Sequence, residues 1–225
     1  MNTYPYTKLG WYGLAAAKQY HIVNPDASLA IIDAGAGLGG TWSLSRLYPG
    51  IKSNNLLGTY EYPDFPMDEA TYGISKGEHI PGRVINTYLH DYATRFGIRD
   101  LIRLNTKVIT AEHQEMGGWI LSAVGNDGKP TRKIGTRHLI LATGLTSEEF
   151  LPSFEGQDDF GGKIFHGKHF PQNEDTIQPG NTVTVIGASK LTFDAVYQYA
   201  KAGVRVNWIV RGEWHVYRDG DCSGT

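Results

Sequence analysis

Two periods of hydrophobic and polar positions run along this chain, and each change of period marks a predicted element. Residues 13–22, GLAAAKQYHI, are rich in alanine and read as a short helix. SLAIID, ending at Asp33, is an apolar run of strand length that enters AGAGLGG, which must turn. Residues 41–79 keep no period; Pro49, Pro63 and Pro66 and many aromatics predict irregular structure. Val84, Tyr88, Tyr92 and Phe96 then fall at helical spacing, so 82–96 predict a helix that Gly97 can cap. TKVITAEH and WILSAV predict an antiparallel pair around a Gly-Gly-Trp turn, and Asn-Asp-Gly at 126–128 is a further hairpin signal. RHLILATG predicts a buried strand ending in a glycine turn.

The pattern then breaks. Residues 151–181 are rich in Pro, Gly and acidic side chains, the composition of a linker and surface loops. NTVTVIGAS predicts a strand entering a glycine turn, KLTFDAVYQYAKAG a helix stopped by Gly203, and VRVNWIVRG the next strand. This is a strand–helix–strand unit, so 181–187 and 204–210 are expected to be adjacent parallel strands. The pattern as a whole predicts an α/β protein in two parts, 1–150 and 151–225. Turn, helix and strand at 8–33 recur weakly at 187–210.

Composition narrows the function classes. With 225 residues the chain can bury a sizeable core. A formal net charge of −2 leaves no basic footprint, which argues against nucleic acid as a partner. The single cysteine, Cys222, excludes an internal disulfide framework and a Cys-rich zinc site. No apolar run approaches the roughly 18–20 residues of a membrane span, and MNTYPYTKLG lacks the basic start and apolar core of a signal peptide. A soluble, cytoplasmic protein is expected. His79, His166 and His169 are candidate acid–base groups, each also readable as a structural hydrogen bonder. His166 and His169 stand three apart without a third ligand, so no metal is expected. Ser189 is not a nucleophile elbow, because G-x-S-x-G fails at Leu191.

Two turns carry candidate chemistry. Gly10 and Gly13 precede the first helix, and Asp33 follows Gly13 by 20 positions. In a dinucleotide-binding turn the glycines admit the pyrophosphate to a helix N-terminus, and an acidic residue about 20 positions on takes the ribose hydroxyls. A plain helix-capping turn fits the same residues. GASKLT at 187–192 is the second turn, with Ser189 and Thr192 where glycines would stand; Arg211, ending the next strand, could face a 2′-phosphate. An ordinary α/β turn is the alternative there.

Further stretches favour the nucleotide reading. GGTW (39–42) follows the acidic strand, SRLYPGIKSNN lies beyond it, and LATG (141–144) ends a later predicted strand. Phe160, Gly162, His166 and Phe170 fit F-x-G-x-x-x-H-x-x-x-F. With these residues the chain resembles the flavin-containing and Baeyer–Villiger monooxygenases, most closely their fungal relatives, over roughly 9–215. The resemblance implies a Rossmann-like fold with two dinucleotide-binding domains, incomplete here: an FAD-type domain at 1–150 and part of an NADPH-type domain at 151–225. In such enzymes NADPH reduces a flavin that activates O₂ to oxygenate a heteroatom or ketone of a small organic substrate, often in secondary metabolism. Carried over, Gly10, Gly13 and Asp33 would meet FAD, with Gly40, Thr41, Trp42, Thr143 and Gly144 nearby. Gly187, Ser189, Lys190, Thr192 and Arg211 would meet NADPH. His166 would help link the domains, and Asn54 would match an asparagine beside the flavin ring.

The chain also departs from that pattern. TYPYTKLG stands where the family has an apolar strand and a G-x-G-x-x-G turn, and Pro5 cannot donate to a central ladder. Lys8 occupies the tight-turn position, and RDGDCSGT follows Trp214 where the family continues. Phe170-Pro171 replaces the usual Trp-Pro, which leaves the subclass open. A chain purified without flavin colour is therefore expected. Two other readings fit these departures: a relative that lost flavin and works as a non-redox cyclase or pericyclase, or a non-catalytic partner or gene fragment. Tyr48, Tyr60, Tyr62, Phe65 and Tyr72 could line a substrate pocket, or simply pack their loop. A homodimer, or cover by Tyr4–Tyr6, is expected to shield the strand faces 29–32 and 138–142.

Overall fold

The computed structural model describes residues 9–125, 132–144 and 149–211. By internal contacts the chain forms two compact units, Met1–Pro171 and Gln172–Thr225.

The first unit begins with α1 (Trp11–Val23) and continues through β1 (Ile31–Ile32), β2 (Lys52–Leu56), α2 (Glu69–Tyr72), β3 (His79–Pro81) and α3 (Gly82–Arg95). Then come β4 (Ile102–Arg103), β5 (Thr106–His113), β6 (Trp119–Gly125) and β7 (Arg132–Thr136). The core is built on α3. Its Ile85, Tyr88, Leu89, Tyr92 and Ala93 are buried at helical spacing, as the sequence period predicts. Gly97, at φ 67°, follows the helix in the left-handed conformation that stops it. Leu14 and Ala17 of α1 join the same core.

The aromatic loop packs rather than opens. Tyr62 stacks on Tyr92 at 4.0 Å between ring centroids, and Phe65 lies 5.2 Å from Tyr88. The Tyr88 hydroxyl donates to the Phe65 carbonyl at 2.6 Å and accepts from the Tyr62 amide at 2.6 Å. Tyr48 packs on Phe170. Of the two uses for these aromatics, loop packing is the one observed.

Burial raises the phenol of Tyr92 to about 12. Burial likewise raises Tyr62, helped by the neighbouring phenols of Tyr92, Tyr88 and Tyr60, and raises Tyr88 and Tyr72. Groups raised in this way contribute stability that is intact below the ordinary phenol value of about 10 and is lost as pH climbs through the folded values. We expect tyrosinate absorbance and loss of near-ultraviolet circular dichroism to rise together above that pH. Full, reversible phenol ionisation near pH 10 with the fold intact would contradict the buried cluster.

β5 and β6 pair antiparallel from Thr106↔Gly125 to His113↔Trp119, the predicted hairpin. β6 and β7 also pair antiparallel; the 126–128 hairpin signal between them lies outside the described residues. β2 pairs with β3, which corrects the expectation of irregular structure throughout 41–79. Two other expectations are corrected. SLAIID supplies only a two-residue strand, because only Ile31 and Ile32 find a partner, the parallel β4. RHLILATG forms no strand, and Ile140 and Leu141 stay about half exposed. No described segment lies beside it to complete a ladder, so its apolar character does not suffice.

In the second unit, β8 (Thr182–Ile186) and β9 (Arg205–Ile209) pair in parallel, joined by α4 (Lys190–Lys201), as the sequence predicts. Tyr199 of α4 is buried, and its hydroxyl lies 2.7 Å from Thr176 Oγ1.

Candidate functional site

The N-terminus of α1 organises the first site. Gly10 is its N-cap residue, with no side chain capping the helix. Such an end leaves backbone N–H groups without helical partners and favours an anionic group. Trp11, in the first turn, fixes this end in the core. Its ring lies 4.3 Å from Tyr60 and 4.8 Å from Tyr62, and its carbonyl accepts from the Tyr62 hydroxyl at 2.5 Å.

The Gly39–Trp42 segment closes onto that end. The Gly39 amide donates to the Leu9 carbonyl at 2.8 Å. Gly40 takes φ 59°, and a Cβ there would stand 3.1 Å from Gly10 Cα and 3.2 Å from Gly10 N. At Gly39, φ is 120° and a Cβ would meet the Ser43 amide at 2.9 Å. Only glycine fits this contact without displacing backbone. Asn86 of α3 holds the segment from behind, donating through Nδ2 to the carbonyls of Leu38 at 3.1 Å and Trp42 at 2.9 Å. The Trp42 indole donates to the Tyr60 hydroxyl at 3.2 Å, while Thr41 is exposed.

Asp33 directly follows β1 and is buried. One carboxylate oxygen accepts from the Leu9 amide and the other from the Gly35 amide. The structure thus brings Gly10, Gly40 and Trp42 together and ties Asp33 to the chain just before Gly10. The Asp33 carboxylate accepts a backbone donor on each oxygen. Gly13 and Thr143 line one groove beside α1, and Gly144 follows at φ 72°.

The other expected residues have their own contacts. Asn54 is exposed on β2. The His79 ring shares a 2.9 Å hydrogen bond with the Ser53 carbonyl, and His166 Nδ1 accepts from the Lys168 amide at 3.1 Å. His169 Nε2 lies 2.7 Å from Glu149, with the Lys168 ammonium at 3.7 Å. Desolvation raises the Glu149 carboxyl, but His169, Lys168 and His166 outweigh it and hold the group below the usual range. Phe170 anchors this segment by full burial, while Phe160 is exposed. These contacts give each of the three histidines a hydrogen-bonding or ion-pair partner.

At the second turn, Ser189 is the uncapped N-cap residue of α4, and its hydroxyl lies 3.4 Å from that of the buried Thr192. Gly187, at φ 120°, accepts from the Trp208 indole at 2.8 Å. Lys190 pairs with Asp194 one helical turn on, and Arg211 is exposed just past β9.

Three side chains matter more than the sequence suggests: Trp11, Asn86 and Arg46. Arg46 Nη1 is buried without a protein hydrogen-bond partner; desolvation lowers this group, and Glu149 acts in the opposite sense. The signal for Arg46 is a lone cation inside the apolar-flanked SLSRLYPG. Asn86 and Trp11 carry no local signal, because their partners lie far along the chain.

Comparison with known proteins identifies the family. The family described as Flavin-binding monooxygenase-like matches residues 38–223. Over 209 residues the chain is 39% identical to the FAD-dependent monooxygenase resA of Aspergillus sclerotiorum, covering 90% of this chain and 35% of that protein. It therefore spans little more than a third of the length of that relative. The solved structure of Tmm from Pelagibacter sp. strain HTCC7211 superposes with a TM-score of 0.79 at 22% identity, over 92% of this chain and 50% of that one. An oxidised steroid monooxygenase bound to NADP gives a TM-score of 0.69 at 25% identity, over 88% of this chain and 37% of that one. Among the described residues no helix is long and apolar enough to cross a membrane. By the match over residues 38–223 and by this fold, the chain belongs to the flavin-binding monooxygenase-like family.

Proposed function

We propose that this chain is the nucleotide-binding portion of an NADPH- and FAD-dependent monooxygenase that oxygenates a small organic molecule. The observation that carries the reading is the contact of Gly40 with Gly10 at the uncapped start of α1. A Cβ would fill that contact, and the end beside it offers backbone donors to a pyrophosphate. Gly10, Gly13, Gly40, Thr41 and Trp42 would hold FAD, with Thr143 and Gly144 on the neighbouring segment. Asp33 would accept from a ribose hydroxyl on the lone pairs left beside the Leu9 and Gly35 amides. Gly187, Ser189, Lys190, Thr192 and Arg211 would hold NADPH, Arg211 supplying the charge for a 2′-phosphate. FAD, when bound, supplies the oxygen-activating chemistry and NADPH the reducing equivalents. The chain's own residues bind and orient them, and Arg46 offers a buried, unspent donor to an acceptor group. We place the FAD-type domain at 1–150 and the NADPH-type portion at 151–225.

Because Lys8 stands at the tight-turn position and TYPYTKLG replaces the family's apolar strand, the purified chain is expected to carry well below one flavin per molecule. Added FAD should still bind, with quenching of flavin fluorescence that ADP reverses. Gly40→Val should weaken this by about tenfold or more, a loss of about 1.4 kcal/mol. Equal affinity in both proteins would remove the cradle from the account.

A further inference from the structure

Lys18 lies on the buried face of α1 with Leu14 and Ala17, only 4% exposed, and no nucleotide contact calls for it. Its ammonium pairs with the Asp64 carboxylate and stands 4.8 Å from the centre of the Phe96 ring. A buried cation is costly unless paired, and an apolar side chain of similar length would fill the same space at lower cost. Packing alone does not explain a lysine here. Asp64 belongs to a short loop that touches both halves of the cradle. The Tyr60 hydroxyl accepts from the Trp42 indole at 3.2 Å, the Tyr62 hydroxyl donates to the Trp11 carbonyl at 2.5 Å, and Asp64 takes Lys18. Trp11 and Lys18 are seven residues apart, so the loop grips one side of α1 at two points about 10 Å apart. One grip would leave the helix free to turn or slide against the loop; two fix its rotation and its height. The start of α1 has little slack, since a Cβ on Gly40 would stand 3.1 Å from Gly10 Cα.

We propose that Lys18 and Asp64 are a positioning pair for the dinucleotide cradle: they set α1 against the aromatic loop so that the free amides at Gly10 stand beside Gly40 and face one pyrophosphate. The inference rests on reading the start of α1 as that cradle. Neither residue touches the nucleotide; each acts through the helix and the loop it belongs to. An ion pair suits this work better than an apolar contact. It is satisfied in one arrangement, whereas apolar side chains pack nearly as well after a small slide.

The test measures FAD affinity by flavin fluorescence quenching, and urea unfolding beside it, on the full chain and two variants. Lys18→Met keeps the stem and removes the ammonium, and Asp64, with its side chain 42% exposed, then turns to water. Lys18→Met combined with Asp64→Leu exchanges the pair for an apolar contact, a change that often leaves stability equal or higher. FAD should bind both variants about tenfold more weakly, while the double variant unfolds at the parent's urea midpoint or above it. In the flavin-free chain, amide shifts at Gly10–Gly13 and Gly39–Trp42 should move in both variants. Parent affinity in either variant would overturn the inference and leave the cradle standing. So would a double variant that loses midpoint and affinity together, because the pair would then serve stability alone. A parent chain that binds no FAD would remove the cradle reading itself, and the inference with it.

Discussion

Gly39→Ala is expected to destabilise the first unit by about 2–4 kcal/mol, read as a lowered urea midpoint. Two costs combine. At φ 120° an L side chain is strained, and the added Cβ would stand 2.9 Å from both the Ser43 amide and the Trp42 carbonyl carbon, and 3.0 Å from Asn86 Nδ2. None of these neighbours is the free end of a flexible side chain: two are backbone, and Asn86 is held by its bonds to Leu38 and Trp42. Relief therefore requires reshaping the Gly39–Ser43 turn or moving it off Asn86, which disturbs the neighbouring Gly40–Gly10 contact. A midpoint unchanged from the parent would mean that the Gly39–Ser43 turn and Asn86 make room for a side chain.

Tyr88→Ala is expected to cost about 3–5 kcal/mol, because it empties a fully enclosed aromatic site. Trp11, Tyr62, Phe65 and Tyr72 all lie within 6 Å of that ring, centroid to centroid. Tyr88→Phe separates packing from hydrogen bonding. It keeps the ring but leaves the Tyr62 amide and the Phe65 carbonyl without their shared partner, for an expected loss of about 1–3 kcal/mol. Urea unfolding of the pair checks both figures. A phenylalanine variant as stable as the parent would show that the loop finds other partners for those groups.

Local pattern made some of this structure legible. The spacing of Val84, Tyr88, Tyr92 and Phe96 marks α3, and Gly97 marks its end. The β5–β6 hairpin and the β8–α4–β9 unit also follow from period and turn residues, since each closes its hydrogen bonds within a short stretch. SLAIID and RHLILATG were less legible for the opposite reason. A strand exists only where a neighbour supplies a ladder, and the sequence of one strand does not contain its neighbour. Ile31–Ile32 find β4; Leu139–Ala142 find nothing among the described residues.

The site divides in the same way. Glycine spacing points to Gly10, the family resemblance adds Gly40, and the structure brings the two into contact. Asp33 stands at the expected distance in sequence, yet its carboxylate binds the Leu9 and Gly35 amides. Asn86 reaches the cradle across 44 residues to Trp42, a relation no local pattern records.

The central claim is that Gly10 and Gly40 form a dinucleotide cradle at the start of α1. Amide chemical-shift mapping of the ¹⁵N-labelled chain during FAD addition tests it most directly. The account predicts shifts concentrated at Gly10–Gly13 and Gly39–Trp42, weakened in Gly40→Val at matched FAD. Shifts confined to other parts of the chain, or a spectrum that saturating FAD leaves unchanged, would contradict it.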